Sequence, residues 1–516
     1  MRPGLLFADR DLDLGALPLP DPNLVADLGL DRLYEAMSRG DPALDEVVRR
    51  VVPSPLGTVE AIRYRQATVA DVLASPDLVR ALYAIAVDAV EGERKVWGGK
   101  MRDPELVLDR AAEVIGLFLA SFRAMRRIQE EHAGAFTSPG FVAFFELIAT
   151  QLDDAWLAEA DDHVHRLRTR TLHVSAHLGT GNRGIGYVLH RRPNPIQGWR
   201  GRLGLEERRS TVVVLLKDQN AMNMISELRG LAIAPTAAAV NETAQWVLAF
   251  FKVLRTELGF LVGCLNLQEA LGGATARVCL PDAVEGAEPS FSTTGLYDPG
   301  LRLAIDGPVV GNDILADGVR LVVITGANGG GKSTLLRAMG LAQVMLQAGM
   351  FVAAERFSAS LTSNVLTHFT REEDAAMERG KLHEELARLG TVIDACTPNS
   401  LVLLNESLSS TNEREGAEIA RQVITALADS GVTVWFVTHN HKFAADLLRA
   451  APTDVRFLRA ERGGDAGRSF RIAASPPEAT SHGMDLYRRI VGAADRQDRS
   501  QSDSKASAKG LGQHTT

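Results

Sequence analysis

The sequence predicts a multidomain protein in which a largely helical region with a small β-containing insert leads into an α/β domain built on a phosphate-binding loop. Three observations predict it. Apolar residues recur at helical spacing through much of the first 270 residues. An arginine-rich stretch of alternating character, 163–209, interrupts them. From about residue 285, short apolar, partly β-branched runs alternate with helical patterns, as in a mostly parallel sheet.

Length and composition bound the possibilities. A chain of 516 residues suggests roughly three or four domains. Apolar residues at 46% and charged residues at 23% suit a globular protein with sizeable cores. A net charge of -8 excludes a basic nucleic-acid coat, so any DNA contact must use a local patch. Cys264, Cys279 and Cys396 are far apart, with no CxxC pair, which argues against disulfides and structural zinc and for a reducing cytoplasm. The N-terminus carries Asp and Arg inside its apolar stretch, unlike a signal peptide. The longest apolar runs, Ala232–Val240 and Trp246–Val253, fall short of a membrane span.

Taken in order, residues 1–135 read as helical. Ala112–Ile128 has helical apolar spacing with Arg123, Arg126 and Arg127 late in the helix, while Ser54-Pro55-Leu56-Gly57 and Ser75-Pro76 mark turns or helix starts. Residues 136–225 hold the insert. Its core, 163–209, has ten Arg against two Glu, and Leu172–Leu178 and Gly186–His190 read as strands around a Gly179–Asn182 turn. Residues 226–272 return to long apolar helix, and Gly272-Gly273 ends it. The α/β domain occupies 273–494, with buried parallel strands predicted at 321–325, 400–404 and 432–438. The polar tail 495–516 has the composition of disorder.

Gly326-Ala327-Asn328-Gly329-Gly330-Gly331-Lys332-Ser333-Thr334 fits G-x-x-x-x-G-K-[ST] between a strand and a helix. Glycines let successive backbone N–H groups curl around phosphate oxygens, and the helix N-terminus adds partial positive charge. The pattern predicts ATP with Mg²⁺, Lys332 reaching the β- and γ-phosphates and Ser333 giving its hydroxyl to the metal. Downstream, Leu401–Leu404 followed by Asn405-Glu406 has the form of the strand that completes such a site. An Asp is usual where Asn405 stands. The amide still accepts a bond from a metal-bound water but carries no charge, which weakens the Mg²⁺ site. Glu406 is the candidate general base, and His439, ending the next strand, is placed to sense the γ-phosphate.

These residues resemble the MutS family of mismatch-repair ATPases. Residues 320–355 are similar to that family's nucleotide-binding stretch almost throughout, with Asn328 inside the loop and the step Ala348–Val352 at the family's distance. Residues 400–416 are similar to its second motif, with Thr411 matched, and Glu415-Gly416 standing where Asp-Gly is usual. Glu385 and His439 fall at family positions. More weakly, 61–83 and 257–271 resemble its helical core and lever, and 179–191 lies roughly where its DNA clamp would be.

The resemblance implies an ABC-like ATPase domain carried on a core/lever region, a homodimer joined through the ATPase domains, and coupling to DNA. The sequence departs from the family in three places. Core-like sequence begins near residue 30, leaving no room for the mismatch-reading domain. Asn405 replaces Asp. Gly380-Lys381 stands where a Ser-Thr pair acts on the partner's ATP.

For the basic segment, Arg183, Arg191, Arg192, Arg200 and Arg202 are the candidate DNA contacts, with Tyr187 and Trp199 as possible stacking partners. A solvated face balancing the acidic remainder, with the two aromatics in small local cores, is the other reading. A nucleotide-gated binding protein that hydrolyses ATP poorly and engages a protein partner is the alternative function, favoured by Asn405. A transporter ATPase is disfavoured by the absence of an LSGGQ-type segment and of membrane spans.

Overall fold

Proline and aspartate positions set the first helices. The chain forms α1 (Pro22–Leu28), α2 (Leu30–Ser38) and α3 (Pro42–Val51). Asp21 and Asp41 cap α1 and α3, accepting from Asn23 N (2.9 Å) and Ala43 N (2.8 Å), with proline at the first helical position, where its missing N–H costs nothing. The computed structural model describes residues 1–97, 102–168, 173–178, 180, 184–190, 219–286, 288–371, 380–450, 455–462 and 468–477. They cluster into two units, Met1–Asp13 with Ala70–Val262, and Leu14–Val69 with Gly263–Thr516. The sequence reading drew its divisions elsewhere, with 14–69 inside the first helical region. Contacts such as Asn266 Nδ2 to Met37 O (2.7 Å) and Arg65 Nη1 to Ala348 O (2.9 Å) tie those residues to the C-terminal half.

The first unit is mostly helical, with one strand pair. After α4 (Val59–Ala74) come α5 (Pro76–Lys95), α6 (Pro104–His132), α7 (Pro139–Gln151), α8 (Asp154–Arg168) and the long α9 (Gln219–Leu271), which crosses into the second unit at Gly263. Phe122 of α6 stacks on Phe251 of α9 and Phe118 packs against it at a tilt, with ring centroids 5.0 and 5.3 Å apart. Glu257, fully buried, accepts from Leu5 N at 2.8 Å and so fixes the N-terminal segment.

Strands β1 (His173–Leu178) and β2 (Gly184–His190) pair antiparallel, His173 opposite His190. Among the described residues, the range 136–225 holds α7, α8, this strand pair and the start of α9. In α7, Phe141, Phe144, Phe145 and Ile148 recur at helical spacing and are buried. Arg183, Arg191, Arg192, Arg200, Arg202, Trp199 and the tail 495–516 lie outside the described residues.

The second unit holds two sheets. The first has β8 (Val365–Phe369), β9 (Leu401–Asn405), β10 (Thr433–Val437), β6 (Leu321–Thr325), β11 (Val455–Arg462) and β12 (Arg468–Ala474) in that spatial order, parallel except for β12. The second is β3 (Asp282–Val284), β7 (Arg356–Ser360), β4 (Phe291–Leu296) and β5 (Asn312–Leu315). Val323, Val402, Leu404, Val434 and Phe436 bury against Ile424 and Leu427 of α13 (Glu413–Asp429), which accounts for the unbroken apolar runs of the central strands. The other helices here are α10 (Pro299–Ala304), α11 (Lys332–Gln347), α12 (Lys381–Ala395) and α14 (His441–Ala450). Among the described residues no helix is long and apolar enough to cross a membrane.

Candidate functional site

Register brings three loops together. Ile324 of β6 lies opposite Val437 of β10, and Val437 lies opposite Asn405 of β9. The carboxyl ends of three adjacent parallel strands are therefore level, the place where open α/β sheets bind ligands. Thr438 N donates to Ile324 O (3.1 Å) and Glu406 N to Val437 O (2.8 Å), which locks the loops at their origins.

After β6 the chain turns through Gly326 (φ 118°), Gly329 (69°) and Gly331 (90°) and enters α11 at Lys332. A Cβ at Gly326 or Gly330 would meet the Cβ of Ala460 in β11 at 3.0 or 2.8 Å, so the loop is pressed against its neighbour strand. Ala327 and Asn328 form the turn's outer side, and Thr334 lies in the first turn of α11. Lys332 is 4% exposed, and its Nζ donates to the carbonyls of Gly326 (2.9 Å) and Ala327 (3.0 Å). Burial lowers its pKa below the ordinary lysine value, with the negative charge of Glu406 opposing the shift.

Two side-chain pairs link these loops. Ser333 Oγ donates to Asn405 Oδ1 at 2.8 Å. His439 Nε2 lies 2.8 Å from Glu406 Oε1. That hydrogen bond is the main cause holding the Glu406 carboxyl below its usual range; burial opposes it, and the charges of His439 and Lys332 add to it. His439 thus sits on Glu406 in this structure, a contact that strand order alone does not reveal.

The backbone at Glu406 (φ 55°) and Leu408 (φ 67°) is left-handed without glycine. Such residues cost about 1–2 kcal/mol each unless the surroundings over-determine them. The surroundings do so here. Thr370 Oγ1 donates to Glu406 O (2.8 Å), and buried Glu385 accepts from Leu408 N (2.6 Å) and Ser410 N (3.3 Å). His368 Nδ1 and Ser407 Oγ are 2.6 Å apart. Thr370, His368 and Ser407 carry no motif and escape a reading of the sequence; Glu385 is recognised there only by its spacing.

Beside the glycine loop opens a cavity of about 370 Å³, lined by Tyr297, Leu301, Val309, Thr334 and Phe470. Asn312 Oδ1 accepts from Ile472 N (2.8 Å) and ties β12, which bears Phe470, to β5. Neither Tyr297 nor Phe470 stands in a recognisable pattern, since the cavity is assembled from segments more than 170 residues apart. Lys381 opens α12 with Gly380 as its N-cap; residues 372–379 before it lie outside the described residues.

Comparison with known proteins gives a family for both halves. The MutS2 N-terminal domain matches residues 57–274, and MutS domain V matches residues 322–468. The chain is 34% identical over 208 residues to a Halobacterium salinarum protein named DNA mismatch repair protein MutS 2, covering 39% of this chain and 24% of that one. A Synechococcus protein named DNA mismatch repair protein MutS is 25% identical over 471 residues, 84% of this chain and 49% of the relative. An Anaeromyxobacter protein named Endonuclease MutS2 is 29% identical over 277 residues, 51% of this chain and 32% of the relative. The aligned stretches thus span between about a quarter and a half of these relatives' lengths.

Proposed function

This chain belongs to the MutS family, and from that premise we propose that it binds ATP at residues 326–334 and hydrolyses it as a homodimer, coupled to binding of DNA in mismatch-repair or recombination-type metabolism. The observation that carries the reading is the convergence of Lys332, the Ser333–Asn405 pair and the Glu406–His439 pair at three level strand ends.

In this reading the N–H groups of the glycine loop wrap the phosphates. Lys332 leaves the carbonyls of Gly326 and Ala327 for the β- and γ-phosphates, and the base enters the cavity of Tyr297 and Phe470. Glu406, a carboxylate ionised at neutral pH, takes the proton of the attacking water, and His439 orients Glu406. Mg²⁺, when bound, would neutralise phosphate charge; the hydroxyl of Ser333 would hold it, while Asn405 would reach it only through a water and without charge.

The dimer joins the ATPase domains, Lys381 faces the partner's nucleotide, and Arg183, Arg191, Arg192, Arg200 and Arg202 track DNA phosphates. The setting is cytoplasmic. Steady-state ATP hydrolysis with and without duplex and branched DNA, using Lys332→Ala as blank, tests the reading. Turnover above the blank that rises with DNA supports it; turnover at the blank level under every condition sinks hydrolysis. A second reading, a nucleotide-gated binding protein engaging a protein partner, is favoured by one observation, the neutral Asn405 bonded to Ser333.

A further inference from the structure

A P-loop site that depends on Mg²⁺ presents an ionised carboxylate to the hydrated cation. Here that position is the amide of Asn405, whose Oδ1 accepts from Ser333 Oγ at 2.8 Å. The adjacent carboxylate does not replace it. Glu406 leaves the strand at φ 55°, its carbonyl is held by Thr370 Oγ1 at 2.8 Å, and its Oε1 lies 2.8 Å from His439 Nε2. The phosphate side of the site is intact by contrast, with Lys332 buried beside a glycine loop whose N–H groups open a helix.

We infer that Asn405 uncouples ATP binding from divalent metal: affinity comes from the loop and Lys332 and depends little on Mg²⁺. The inference rests on the ATP-binding reading above. An amide offers a cation only a dipole, whereas a carboxylate offers a full charge, and in a partly buried site that difference is poorly screened. Binding and chemistry are then separable, since ATP is held whether or not a cation is present to neutralise the phosphates for transfer.

The test is equilibrium titration of the full chain with a fluorescent N-methylanthraniloyl ATP, in excess Mg²⁺ and in EDTA, for wild type, Asn405→Asp and Lys332→Ala. Removing Mg²⁺ is expected to change wild-type affinity by less than about threefold, and that of Asn405→Asp by about tenfold or more. A wild type that loses about tenfold in EDTA, or an Asn405→Asp variant with the same metal response as wild type, overturns the inference while ATP binding stands. Binding of wild type no tighter than Lys332→Ala in both media overturns the ATP-binding reading and this inference with it.

Discussion

Two turns of this protein meet at one site and are built in opposite ways. The turn at 326–331 bends with glycines at positive φ, where no Cβ is present to be strained. The turn at 405–410 bends through Glu406 and Leu408, which have side chains and favour other backbone regions. The first conformation is written into its own residues. The second is imposed from outside by His368 of β8, Thr370 just after it and Glu385 of α12. The first turn should therefore be sensitive to added atoms within itself, the second to lost bonds at a distance.

The largest expected effect tests the first half of that contrast. Gly330→Val places a branched side chain whose Cβ lies 2.8 Å from the Cβ of Ala460 and 3.0 Å from Ala327 O. Neither is the far end of a flexible side chain, so the loop must open. With its N–H groups no longer converging, ATP affinity should fall about 100-fold or more, roughly 3 kcal/mol. The denaturation midpoint should move little, because the loop lies at a sheet end. Fluorescent ATP binding beside a thermal melt checks both. Affinity within threefold of wild type would mean that the glycines are not what shapes this turn.

The same contrast explains what was legible in the sequence. Strands at 321–325, 400–404 and 432–438 could be read because a parallel strand buried on both faces must be apolar throughout, and Leu321–Thr325 is buried at every position. The turn at 326–331 could be read because its positive φ angles demand glycine at fixed spacing. Asn405, Glu406 and His439 were legible as a series of strand ends, but the Glu406–His439 bond was not, since it depends on where two loops point. Tyr297 and Phe470 were illegible because a cavity wall asks only for bulk and apolarity, and many residues supply those.

A middle-sized effect tests the second half. Glu385→Ala removes the carboxylate that accepts from Leu408 N and Ser410 N, and leaves a buried N–H without a partner. Two hydrogen bonds to a carboxylate and one unsatisfied donor amount to about 3 kcal/mol, part of it recovered as Leu408 relaxes toward ordinary φ. Amide exchange of 407–410 should quicken while that of 326–334 stays unchanged, and ATP affinity should stay within about threefold, because the carboxylate of Glu385 bonds to Leu408 and Ser410 in the second turn. Turnover should fall by about tenfold as Glu406 loses its aim. Equal quickening in both loops would erase the distinction between a self-coded turn and an imposed one. Thr370→Val, which removes a single bond to the Glu406 carbonyl, should act in the same direction at about 1 kcal/mol.

The smallest effect concerns protons. His368 is 1% exposed, wedged between Ser407 Oγ and the Glu385 carbonyl. Burial depresses its pKa below 6.5, the charge of Arg388 pushes the same way, and the hydrogen bond and charge of Glu385 oppose them. The unfolded chain takes up a proton near 6.5 while the folded chain resists until lower pH. The stability contributed by neutral His368 is therefore full above 6.5 and is lost as pH falls toward the folded value. Each tenfold difference in proton affinity between the two states is worth about 1.4 kcal/mol. His368→Asn can keep a bond to Ser407 but has no proton to gain. Its denaturation midpoint should be lower than wild type at pH 7.5, and the gap should narrow by pH 5.5. A gap that stays constant between those pH values would mean that water reaches His368. The outer clamp on the second turn would then be an open contact, and the turn would owe its shape to Glu385 and Thr370 alone.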